Sequence, residues 1–96
     1  MKVRYTETAL DEIEDILSYI AKDNSSAALR VSATILATID RIAEFPHTGV
    51  ETDTSGIRVM PVLPYRYLIF FAVDGDVLTI RNVRHSARQQ STLSKS

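Results

Sequence analysis

Two runs of β-branched and aromatic residues flank a three-residue Asp/Gly turn, and no other feature limits the possible folds of this chain so tightly. Pro64-Tyr65-Arg66-Tyr67-Leu68-Ile69-Phe70-Phe71-Ala72-Val73 is followed by Asp74-Gly75-Asp76, and then by Val77-Leu78-Thr79-Ile80-Arg81-Asn82-Val83-Arg84-His85-Ser86-Ala87-Arg88. Long β-prone runs joined by so short a turn predict an antiparallel hairpin. The hairpin, taken from Pro64 to Arg88, also carries Arg66, Arg81, Arg84, His85 and Arg88. Alternation along the last strand places Val77, Thr79, Arg81, Val83 and His85 on one face, and Leu78, Ile80, Asn82 and Arg84 on the other.

The rest of the chain supplies the layer that such a sheet needs. Lys2-Val3-Arg4-Tyr5 alternates polar and apolar residues and predicts a short, half-buried strand. Thr6 has the hydroxyl of a helix N-cap, and Tyr5 with Leu10 could staple the junction. Ala9, Leu10, Ile13, Ile16, Leu17 and Ile20 then form a 3.6-residue stripe, predicting a helix over 7–22 whose acidic opposite face reads as solvated. A second helix is expected over 25–44, stopped by Phe45-Pro46. Its stripe (Ala28, Val31, Ile35, Ile39, Ile42) is widened by Leu29, Leu36 and Ala43, broad enough for contact on two sides. Residues 46–56 have the Gly, Pro, Thr and Asp content of an exposed loop that includes His47. A strand follows over 57–63, where Pro61 requires an edge or a bulge. The order β-α-α-β-β-β predicts an α+β domain over residues 1–88, a helical hairpin packed on one face of a mainly antiparallel sheet. Residues 89–96 offer little to bury and are expected to be a disordered tail.

Composition excludes several functional classes. The chain has no cysteine and only two histidines among 96 residues, so neither a disulfide framework nor a metal site is expected, and no cofactor motif is present. No apolar run approaches the length of a membrane span, and the N-terminus is unlike a signal peptide, so a cytoplasmic protein is expected. The formal net charge of −1 conceals an asymmetry. Residues 1–53 hold five basic and ten acidic side chains, a net of −5, whereas residues 54–96 hold six and two, a net of +4.

A basic hairpin over an otherwise open sheet face suggests a surface for phosphates or carboxylates, since arginine forks match both. Arg66 begins one strand and Arg84, His85 and Arg88 end its partner, so antiparallel pairing should gather them at one end. RNA cleavage would require a base, a charge stabiliser and an acid. His85 and Arg66 are the residues able to serve, and the strands contain no Glu, Asp or Lys to complete the set, so an enzyme is the less favoured reading. The alternative is a solubilising array paired with the acidic helix face.

Several residues together resemble a known superfamily: Thr6-x-x-Ala9 with Ile13, Ile16 and Tyr19-Ile20, then Phe45-Pro46-x-x-Gly49, Arg58, Tyr65-Arg66 and Val83-x-His85-x-x-Arg88. Their order and spacing are similar to those of the RelE/ParE plasmid-stabilisation toxins of type II toxin–antitoxin systems. The resemblance implies a growth-inhibiting toxin neutralised by a small cognate antitoxin within a hetero-oligomer. RelE-like members cut mRNA on the ribosome without a metal, and ParE-like members inhibit DNA gyrase. On the RelE-like pattern, Arg58 and Arg66 would hold basic positions and His85 would lie near the catalytic one. The segment after Val83 lacks the tyrosine and the dense cations of a ribosome binder. That difference favours the ParE-like branch, with Arg58, Arg66, Arg81, Arg84, His85 and Arg88 as target-binding residues; a non-toxic antitoxin-binding relative is a third possibility.

Overall fold

The structure, a computed structural model, describes residues 1–87; Arg88 and the expected tail over 89–96 lie outside the described residues. Seven elements follow one another: β1 (Lys2–Tyr5), α1 (Glu7–Asp23), α2 (Ser25–Glu44), β2 (Val50–Glu51), β3 (Arg58–Val62), β4 (Tyr67–Asp74) and β5 (Val77–His85). The strands form one sheet in the order β1-β5-β4-β3-β2. β1 runs parallel to β5 and every other pairing is antiparallel. The α+β architecture and the paired helices match the expectation. One strand was not expected: β2 pairs Val50 with Val59 and Glu51 with Arg58, inside the segment read as loop. Two residues are too few for a period-2 pattern, so the local composition hides such a strand. Pro61 lies in the part of β3 that β2 does not reach, where β3 is itself an edge.

Short-range chemistry fixes both helix starts. The hydroxyl oxygen of Thr6 accepts from the Ala9 amide at 3.0 Å, and the Asn24 Oδ1 accepts from the Ala27 amide at 2.9 Å. Asn24 both ends α1 and starts α2, so the helices follow one another with a single residue between them. Leu10 is 52% exposed, and the β1–α1 junction is held through Thr6 instead. Its amide donates to the Ile80 carbonyl at 3.1 Å and its hydroxyl donates to the Arg81 carbonyl at 2.8 Å.

The core fills the space between the helices and one sheet face. Ala9 of α1 and Val31, Ile35, Ile39 and Ile42 of α2 pack with Val62, Ile69, Phe71, Leu78, Ile80 and Val83. Burial of that much aliphatic and aromatic surface is the dominant stabilising term. The register identifies the core-facing side chains of β5, and here the sequence pattern misleads. Phe71 pairs with Ile80 but Phe70 pairs with Asn82, which leaves Arg81 as the extra residue of a β-bulge. Leu78 and Ile80 therefore share the helix-covered face with Val83 and His85, while Thr79, Asn82 and Arg84 share the opposite one. The expected grouping of Arg81 with Val83 and His85 is thus corrected: strict alternation breaks at one inserted residue, and everything beyond it changes side.

Candidate functional site

The end of the β4–β5 hairpin gathers three of the residues expected there. Tyr67 pairs with His85 and Leu68 with Arg84, and the Ser86 amide donates to the Arg66 carbonyl at 2.8 Å. Arg66, Arg84 and His85 thereby come to one corner of the sheet; Arg88 is outside the described residues. Arg81, in the bulge, is exposed. Arg58 is elsewhere. It pairs with Phe71, four residues along β4 from Tyr67 and hence roughly 13 Å away along the strand. It borders a separate cavity of about 480 Å³ with His47, Glu51, Ile57 and Val73.

At the corner, His85 is on the helix-covered face, its ring edge-on to Tyr67 with centroids 5.5 Å apart and an interplanar angle of 87°. Its Nδ1 accepts from the Ala87 amide at 3.2 Å, so in the neutral ring Nε2 carries the proton. The Tyr67 phenol is pushed above its ordinary value, first by burial and then by the neighbouring Tyr19 hydroxyl.

The residue that organises this corner was not among the sequence-based candidates. β1 covers β5 only from Val77 to Ile80, so the edge of β5 beyond Ile80 has no strand beside it. Glu12 of α1 occupies that place. Its Oε1 accepts from the Val83 backbone amide at 3.0 Å and from the Asn82 side-chain amide at 3.2 Å, and its Oε2 accepts from Arg84 Nε at 3.2 Å. A carboxylate here satisfies an edge donor that a longer β1 would otherwise have paired. In sequence Glu12 is indistinguishable from Asp11, Glu14 and Asp15, and only the strand lengths and register single it out.

Between α1 and the strand ends lies a cavity of about 590 Å³, bordered by Glu12, Asp15, Ile16 and Tyr19 of α1 and by Tyr67 and His85 of the hairpin. These α1 positions recur at three- and four-residue intervals, so they line one side of the helix. The groove thus brings together aromatic rings, an apolar helix surface and carboxylates, beside the arginines predicted from sequence.

Three comparisons relate this chain to known proteins. Residues 3–90 match the family described as "ParE toxin of type II toxin-antitoxin system, parDE". A protein of Sinorhizobium fredii (strain NBRC 101917 / NGR234) named "Putative toxin Y4kP" is 33% identical over 88 residues, spanning 92% of this chain and 91% of its own. Among solved structures, a chain of "Chromosomal ParDE TA system from P. aeruginosa" superimposes with a TM-score of 0.77 over 88% of this chain and 95% of its own. At 17% identity that match speaks to the fold.

Proposed function

We propose, from the premise that this chain belongs to the ParE toxin family of type II toxin–antitoxin systems, that it acts by binding and inhibiting DNA gyrase in the cytoplasm and is neutralised by a cognate antitoxin in a hetero-oligomer. Among the described residues no helix is long and apolar enough to cross a membrane. The observation that carries the inhibitor reading is the separation of Arg58 from the corner where Arg66, Arg84 and His85 meet. Phosphoryl-transfer chemistry on RNA needs a base, an acid and a cation converging on one phosphate. Here Arg58 borders a different cavity from His85, Arg84 is drawn onto Glu12, and burial holds the phenol beside His85 in its neutral form, a weaker acid that furnishes less phenolate to act as a base. His85 and Arg66 remain the residues that an RNA-cleaving reading would require.

Antitoxin binding is supported by the outer surface of the helices. Leu10, Leu29 and Leu36 are 52%, 73% and 54% exposed. These leucines exceed what the core uses, and a partner segment that covered them would gain the burial energy they forgo.

The test uses the purified full chain in two parallel assays. Gyrase supercoiling of relaxed plasmid should fall as the protein is added, while total RNA from cells expressing it stays intact. Normal supercoiling at large excess together with cleaved transcripts would replace this reading by the ribosome-dependent endoribonuclease one. Harmless expression with normal supercoiling and intact transcripts would leave an antitoxin-binding relative without toxicity.

A further inference from the structure

We propose that the groove between α1 and the end of the β4–β5 hairpin receives a cationic side chain, an arginine or lysine presented by a protein partner. The charges that border it carry the argument. Glu12 and Asp15 are the acidic groups and Arg84 is the cation. Arg84 and Glu12 are already bound to each other, and both Glu12 oxygens are in use along the β5 edge. Asp15, exposed at the rim, is the carboxylate left to answer an incoming charge. A phosphate or carboxylate ligand would face Asp15 and Glu12 and meet repulsion, so the groove has the opposite preference to the basic surface expected for this corner.

The rings supply the second part of the chemistry. Tyr19, 73% exposed, stands on the α1 side, with Tyr67 and His85 in edge-on contact opposite. Aromatic faces around a small cavity attract a cation through their quadrupoles, and a planar guanidinium can also stack on them. Ile16, Ile20 and Val83 complete the walls and suit the aliphatic stem of arginine or lysine, whose methylenes prefer apolar contact while the head stays polar. An uncharged apolar ligand would use these walls but would leave Asp15 unanswered. The groove is independent of the toxin's target: an inhibitor of gyrase and an RNA-cleaving toxin could each use it.

The test follows backbone amide NMR signals of the full chain during titration with Nα-acetyl-arginine amide, in which the guanidinium is the only charge. Saturable shifts are expected for Asp15 to Ile20 and Val83 to His85, with a dissociation constant on the order of millimolar for so small a probe. Asp15→Asn and Tyr19→Ala, both at exposed positions, should each weaken binding about three- to tenfold without unfolding the protein. Nα-acetyl-glutamate amide and inorganic phosphate should leave the same signals unmoved. Saturation by either anion would overturn the proposal, as would unchanged affinity in both variants. Arginine-amide binding that appears only when Arg88→Ala or Lys95→Ala is introduced would assign the groove to this chain's own cations and would equally overturn a partner's role.

Discussion

Replacing Glu12 separates two roles that its carboxylate combines. One is acceptor for the Val83 amide at the open edge of β5; the other is ion-pair partner of Arg84. The Arg84 side chain is 42% exposed and that of Glu12 is 25% exposed, so solvent screening holds their pairing to about 0.2–1 kcal/mol. The backbone acceptor role is larger. Val83 is 1% exposed, and a buried amide that loses its acceptor costs about 1–3 kcal/mol. Glu12→Ala, which abolishes both roles, should therefore destabilise by about 2–3 kcal/mol. Glu12→Gln keeps an oxygen for Val83 and should cost only about 0.5–1 kcal/mol, and Arg84→Ala no more than about 1 kcal/mol. Urea titrations followed by far-ultraviolet circular dichroism would measure all three. For a domain of this size the alanine variant at Glu12 should also melt about 10 °C or more below the parent. If Glu12→Gln or Arg84→Ala proves as damaging as Glu12→Ala, the ion pair is the principal contact and the account of Glu12 as an edge acceptor is wrong.

Three further outcomes follow from local geometry. Gly49 has φ of +83° and a Cβ there would lie 2.6 Å from the Val59 carbonyl oxygen, whereas a Cβ at Gly56 meets nothing within 4 Å. Gly49→Ala should thus lose about 2 kcal/mol or more in a denaturant titration and Gly56→Ala only the backbone share of about 1–2 kcal/mol, and equal losses would refute the role of the clash. Thr6→Ala removes both the α1 cap and the bond to the Arg81 carbonyl and should cost about 1–2 kcal/mol, while Thr6→Ser should recover most of it. Burial raises the Tyr67 and Tyr5 phenols in the folded protein above their ordinary 10.0. Below that pH both folded and unfolded states are protonated; above it the unfolded chain ionises first, so stability should fall as pH rises past about 10, less steeply in Tyr67→Phe.

What the sequence made legible is what depends on local periodicity and local caps. The bounds of α2, the Thr6 cap and the β4–β5 hairpin each follow from residues within a few positions of one another. The misses are non-local. Whether β1 reaches the end of β5 is decided by pairing between residues about 75 apart, and that shortfall creates the vacancy that Glu12 fills. Likewise, a bulge at Arg81 leaves no mark on a period-2 pattern, because an exposed arginine fits either phase; it is the buried Ile80 and Val83, three residues apart, that reveal it afterwards. Gathering Arg66, Arg84 and His85 needed only antiparallel pairing, whereas excluding Arg58 from the same corner needed the register of β3.

The charge asymmetry along the chain also takes on a different meaning in three dimensions. A net of −5 in residues 1–53 and +4 in the remainder would give one acidic and one basic face only if the two halves lay apart. They do not, because β1 joins the sheet beside β5 and α1 is thereby laid along the same strand. The acidic helix therefore adjoins the basic hairpin, with Glu12 on Arg84 as the contact between them. Charge of opposite sign is thus compensated at the α1–β5 seam, and what remains on each side of it is the residue that the seam does not use: Asp15 toward the groove and Arg66 beyond the turn. The field at this corner is consequently mixed in sign, and mixed fields select by the placement of individual charges rather than by net attraction. A surface of that kind suits a protein partner with matching positions better than a uniform polyanion such as RNA, and the separation of Arg58 from this corner points the same way.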